Sequence, residues 1–149
     1  MAPWKCKYPK EAKSVCKSGK KPSCDREYFE ILCLCVLQAG LNWRVIRENW
    51  QRYRGVFEGF DFERLSVACV DDLICKPNAI RNRRKIEAII YNANEFKRIV
   101  EEYGSFEGFL EELKRKGKGE VLKIFVGRFK HVGIYTAEYF LHSVGFWRA

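Results

Sequence analysis

The first chemistry legible in this chain sits at the end of an apolar run, in Gln38-Ala39-Gly40-Leu41-Asn42-Trp43. A large aromatic such as Trp43 can stack on a flat ligand, while the amides of Gln38 and Asn42 hydrogen-bond its edge. A plain helix junction with Trp43 packed inside also fits, because Gly40 can end a helix in the left-handed conformation without side-chain cost. A second group is cationic. Arg81, Arg83, Arg84 and Lys85 open an amphipathic stretch, at the helix end whose dipole is already positive. An arriving anion such as phosphate would favour that placement; a solvated basic face would tolerate it. A third group is the turn Gly127-Arg128-Phe129-Lys130-His131-Val132-Gly133 before Ile134-Tyr135-Thr136-Ala137. Gly133 would admit a phosphate close to the backbone, with Lys130 nearby and free N–H groups of the next helix behind it. Such a helix-hairpin-helix element grips a strand without reading its bases. An ordinary helical hairpin with a glycine turn has the same composition.

Other reactive side chains are less well placed. Cys6, Cys16 and Cys24 could ligate zinc as thiolates, but they lack a Cys-x-x-Cys pair. A fourth ligand would have to be His131, His142 or another cysteine. Asp25, Glu27 and Glu30 are carboxylates close in sequence to the Gln38–Trp43 stretch; any of them could be recruited to it, but they are expected as surface charges or caps on a solvent-facing turn.

The elements that must position these groups read as helices throughout. Residues 29–39 are apolar on almost every face, which predicts a helix buried in the middle of the domain. Pro22-Ser23-Cys24-Asp25 supplies its turn and cap. Trp43, Ile46, Trp50, Tyr53 and Phe57 recur at helical spacing and predict one helix with an aromatic core stripe. Short helices are expected over Phe62–Ala68 and Asp71–Ile74. A long one is marked by Ile86, Ile89, Ile90, Ala93, Phe96 and Val100, and one capped by Ser105 buries Phe106, Phe109, Leu110 and Leu113. The last two run over Val121–Val126 and Ile134–Val144. The fold class is all-α, with a lysine-rich arm over residues 1–24 and a helical domain over 25–149.

Composition narrows the partners. A chain of 149 residues with net charge +9 can bury a proper core and favours a polyanion, nucleic acid first. No apolar run is long enough to span a bilayer, so a cytoplasmic, soluble monomer is expected. Seven cysteines, with Cys33, Cys35, Cys69 and Cys75 in apolar helical surroundings, read as free buried thiols.

Three segments taken together resemble 3-methyladenine DNA glycosylase I, of the helix-hairpin-helix glycosylase superfamily. They are Phe29–Trp43; Ile80-Arg81-x-Arg83-x-Lys85-Ile86-x-Ala88-Ile89-Ile90-x-Asn92-Ala93; and Phe129–Thr136. With Trp50–Phe62, the likeness covers roughly residues 25–145. It implies a two-lobed helical fold with a base pocket between the lobes, and hydrolysis of the base–sugar bond of an extruded alkylated purine in double-stranded DNA. It also implies that Trp43 stacks on the base, that Gln38 and Asn42 lie near the pocket, and that Lys130, Val132 and Gly133 hold phosphates; the cationic cluster adds Arg81 and Arg83 as expected DNA contacts.

This sequence departs from that family in three places. Cys35 stands where the family carries the glutamate that recognises the methylated base. The family's zinc ligands are missing apart from a match at Cys6, so neither metal nor cofactor is expected. No Asp or Glu follows Glu138, where many superfamily members place a catalytic aspartate. The alternative is a DNA-binding protein that kept the fold and lost catalysis. No lysine lies between Lys21 and Lys76, so the central helix offers no amine for strand cleavage.

Overall fold

A computed structural model describes residues 21–39, 43–77 and 79–147, with Trp43 described by its backbone alone. Among them are nine α-helices and no strand: α1 (Asp25–Gln38), α2 (Trp43–Glu48), α3 (Trp50–Val56), α4 (Phe62–Ser66), α5 (Val70–Ile74), α6 (Arg83–Tyr103), α7 (Phe106–Leu113), α8 (Lys118–Arg128) and α9 (Ile134–Ser143). A short 3-10 turn, Glu58–Phe60, joins α3 to α4. The all-α expectation holds. The expected N-terminal arm falls largely outside the described residues.

α1 is the hub. Every residue from Tyr28 to Gln38 is buried, and the helix packs against α6, α7 and α9. Aromatic contacts lock these neighbours together. Phe29 meets Phe96 of α6 edge-on with ring centroids 5.3 Å apart, and Phe96 stacks on Phe106 of α7 at 4.4 Å. Phe106 in turn meets Phe125 of α8 and Phe140 of α9. Burying each such ring is worth about 2 kcal/mol, so this chain of rings fixes the N-terminal part of α1 against its neighbours.

The helix ends use polar side chains in place of missing backbone partners. Ser23 donates its N–H and its hydroxyl to Glu27, both at 3.0 Å. The Ser23 backbone N–H is the main reason the Glu27 carboxyl is held below its ordinary pKa. Asp25 reaches across to accept from the Phe106 N–H at 2.9 Å, while Ser105 caps α7 by accepting from the Gly108 N–H at 2.9 Å. α6 is capped by Asn82 and stops at Gly104, whose φ of 81° only glycine adopts freely.

Three expectations are corrected. Glu30 is not on a solvent-facing turn: the turn of α1 carries it inward, where it is fully buried. Its carboxylate accepts from Trp50 Nε1 and Arg54 Nε at 2.6 Å each, and from Arg26 at 2.9 Å. Three donors, two of them charged, are what let a carboxylate enter a core. The helix expected to run through the aromatic stripe breaks at Asn49, whose side-chain amide donates to the Val45 carbonyl at 2.8 Å. The stripe still faces the core, with Ile46, Trp50, Tyr53 and Phe57 buried, and Trp50 stacked on Phe60 at 5.0 Å. Cys33 and Cys35 are buried as expected, but Cys69 and Cys75 are exposed. They flank α5, a five-residue surface helix with only Leu73 buried.

Candidate functional site

The end of α1 places Cys35 and Gln38 three residues apart, hence on one face of the helix. Gln38 is 8% exposed, and its Oε1 is buried with no hydrogen-bond partner among the described residues. An amide oxygen left so costs about 1–3 kcal/mol, which a ligand's N–H would recover. Cys35 is buried in the same helix. α1 ends at a bend at Ala39, and Trp43 is the first residue of α2. Asn42 lies outside the described residues.

The bend is held by a residue that sequence reasoning does not connect to it. Lys85, from the first turn of α6, donates its ammonium to the carbonyls of Val36 and Leu37, both at 3.0 Å, and to that of Ala39. The last carbonyls of a helix lack intrahelical partners, and here a lysine supplies them. Ala39 leaves the helix in extended conformation, and Gly40 lies outside the described residues. Burial lowers the Lys85 pKa from its ordinary value, yet all three N–H groups are engaged with carbonyls. Loss of a proton would turn a lone pair towards one of them, so these contacts oppose the effect of burial and favour the cation. The absence of a lysine between Lys21 and Lys76 therefore understates the matter: the fold does bring an amine to the end of α1, and there ties it to carbonyls.

The hairpin between α8 and α9 is built as expected in outline. Lys130 is exposed, with its ammonium 4.5 Å from the centre of the Tyr91 ring. Val132 is 4% exposed and anchors the turn from within, which leaves its backbone alone to meet a ligand. Gly133 is the N-cap of α9 and has φ −83° and ψ −178°, so no unusual backbone demands glycine there. What glycine gives is space: a Cβ at Gly133 would meet nothing within 4 Å. No side chain caps α9, and Ile134 and Tyr135 are 62% and 47% exposed. The first N–H groups of this ten-residue helix thus have no side-chain cap, which an anion could supply.

The strained residue of the hairpin is His131, at φ 58°. Its neighbours hold it there, since Lys130 before it and Val132 after it are fixed. His131→Val is expected to lower stability by about 1–2 kcal/mol, because a β-branched residue tolerates this region poorly, whereas His131→Gly leaves stability equal or higher. Urea denaturation of the two variants checks this; equal stability would remove the strain.

Of the other candidate residues, Arg83 is ion-paired with Asp71 at 2.7 Å and Glu87 at 3.3 Å, and Arg81 is exposed. The crowding of cations on α6 thus has local reasons at two positions: Arg83 has carboxylates and Lys85 has carbonyls. Asp25, Glu27 and Glu30 are engaged as described above, at the far end of α1. Cys6 and Cys16 lie outside the described residues and Cys24 is exposed. No three His, Cys, Asp or Glu side chains are grouped to hold a metal among the described residues. His142 packs against the Trp147 ring, 6.0 Å between centroids, instead of facing a cysteine. No described helix is long and apolar enough to cross a membrane.

Known proteins share both this architecture and parts of this sequence. Residues 18–124 match the sequence model of a family described as methyladenine glycosylase. A DNA-3-methyladenine glycosylase of Haemophilus influenzae is 36% identical over 84 residues, 54% of this chain and 45% of that one. DNA-3-methyladenine glycosylase 1 of Escherichia coli is 32% identical over 88 residues, 57% of this chain and 47% of that one. The chain thus spans about half the length of these relatives. Among solved structures, the 3-methyladenine DNA glycosylase I of Staphylococcus aureus superposes with TM-score 0.75 at 24% identity, over 89% of this chain and 82% of that one. A 3-methyladenine DNA glycosylase I solved in complex with 3-methyladenine also superposes with TM-score 0.75 at 24% identity, over 89% of this chain and 83% of that one. The helical architecture described above is that fold.

Proposed function

Because this chain belongs to the methyladenine glycosylase family, we propose that it is a DNA glycosylase of base-excision repair. It hydrolyses the N-glycosidic bond of an alkylated purine, such as 3-methyladenine, extruded from double-stranded DNA. The observation that carries the reading is the buried amide oxygen of Gln38, without a hydrogen-bond partner among the described residues, at the end of α1 that precedes the start of α2 at Trp43. A flipped purine offers a π face to the indole and an N–H edge to the amide. Extrusion costs a few kcal/mol, and less when the lesion weakens pairing. The positive charge of the alkylated base already makes it a good leaving group, so water can complete the reaction when stacking holds the base out. In this mechanism no metal or cofactor takes part, and the tied ammonium of Lys85 forms no imine with the sugar, so the strand stays intact.

The hairpin supplies the grip. The Lys130 ammonium and the uncapped N–H groups of α9 contact phosphates, which binds damaged and undamaged duplex alike. Lys130→Ala is expected to weaken binding to every duplex by a similar factor and to lower the slope of log affinity against log salt by about 1. Fluorescence anisotropy across a salt series reads both quantities. A loss confined to damaged DNA would move Lys130 from the grip into the pocket.

The test of the proposed activity is to incubate purified protein with methylated duplex DNA and identify the bases set free. Release of 3-methyladenine or another alkylated purine supports the reading. One observation favours a second reading, a duplex binder without base release: a buried thiol, Cys35, stands where the resemblance puts the recognition glutamate. Tight, salt-sensitive binding with no base released would select it.

A further inference from the structure

Two buried polar side chains of α6, Lys85 and Asn92, are each committed to the backbone of another segment. Lys85 holds the last turn of α1 through the Val36, Leu37 and Ala39 carbonyls. Asn92, 1% exposed, exchanges two hydrogen bonds with Lys130 in the hairpin. Its Nδ2 donates to the Lys130 carbonyl at 3.0 Å, and its Oδ1 accepts from the Lys130 N–H at 2.8 Å. One side-chain amide thus pairs both backbone groups of a residue that lies between helices and has no ladder of its own. Lys85 and Asn92 are seven residues apart, which is two helical turns, so both face the same side of α6 about 10 Å apart along its axis.

Core packing alone does not call for these residue types. Leucine or methionine would fill the same volume without the cost of burying an amide or an ammonium. The sequence distances also matter: Ala39 is 46 residues from Lys85 and Lys130 is 38 from Asn92. The contacts join segments that nothing local would hold in register. Those two segments are the pocket rim and the phosphate grip of the proposed activity, on which this inference rests.

We infer that α6 is a positioning strut that sets the spacing between base pocket and phosphate grip through Lys85 and Asn92. Neither side chain touches DNA. Lys85 acts through the α1 bend, and so on the step after extrusion; Asn92 acts through the hairpin, and so on duplex binding.

The experiment measures two quantities on the full chain: affinity for an undamaged duplex across a salt series, and single-turnover base release at saturating methylated duplex. Lys85→Met is expected to slow release by about tenfold to a hundredfold, as a misplaced pocket wall does, with duplex affinity within about twofold of wild type. Asn92→Leu is expected to do the reverse, weakening duplex affinity about tenfold and leaving release at saturation within about twofold. Lys85→Gln and Asn92→Asp, each keeping part of the hydrogen bonding, carry the same test if the first pair fails to fold. Opposite signatures support the strut. Parallel losses that track thermal stability, or no change in either quantity, overturn it.

Absence of base release by the wild-type protein would overturn the glycosylase reading instead. The strut is then decided by amide hydrogen exchange, which should quicken at residues 34–39 alone in Lys85→Met and at residues 128–134 alone in Asn92→Leu. A uniform change in both variants overturns it there.

Discussion

Trp43→Ala is expected to slow base release by about a hundredfold, while affinity for undamaged duplex stays within about twofold of wild type. The size follows from the loss of one base–aromatic stack, worth about 1–3 kcal/mol, at the step where the extruded base must be kept from returning to the helix. Selectivity follows from construction. Trp43 is the first residue of α2, whereas the proposed phosphate grip is a separate hairpin fastened to α6 through Asn92. Removing the indole leaves that fastening untouched. Timed assays of free base alongside anisotropy of a labelled undamaged duplex read the two effects independently. A joint fall of both would mean that Trp43 supports the hairpin and that the pocket lies elsewhere.

The second large effect is structural. Glu30→Ala is expected to cost about 3 kcal/mol of stability, because it strands a buried indole N–H and two guanidinium groups that converge on one carboxylate. Arg26 and Arg54 remain 44% and 30% exposed and can turn to water, which places the cost at the low end for a broken buried ion pair. A thermal midpoint lower by roughly 6–12 °C would correspond. Glu30→Gln keeps the shape and one acceptor, and should cost about half as much. Glu30 serves the fold and not the chemistry, so release per folded molecule should stay within about twofold in Glu30→Gln. Lost release with stability intact would instead mark Glu30 as the missing catalytic carboxylate.

The contrast between these two residues shows what the sequence can and cannot reveal. Helical periodicity locates the long α6 and the Ser105 cap of α7 because both signals are local, a spacing of 3.6 residues and a hydroxyl three residues before an N–H. The buried α1 is legible because it is apolar all round. Glu30 is misread because its meaning depends on Trp50 and Arg54, which lie 20 and 24 residues further on. No local rule announces a carboxylate that distant donors will cover. Lys85 is misread for a similar reason. It looks like one more cation in a basic cluster, and only the fold shows that its partners are carbonyls nearly fifty residues earlier, in the last turn of α1. The positive φ of the hairpin falls on His131, which no feature of its local sequence announces, while Gly133 adopts a backbone open to any residue. The Cys69 and Cys75 error has a plainer cause: α5 is too short for its apolar residues to define a face.

Removal of a base by hydrolysis, with Cys35 at the position of the family glutamate, is tested most directly by single-turnover formation of abasic sites in methylated duplex, read with and without alkali. Hydrolysis predicts abasic sites that accumulate with the free alkylated purine, in strands that stay intact until alkali is added. A duplex bound tightly but carrying no abasic sites would contradict it, leaving a DNA-binding protein with the fold of a glycosylase.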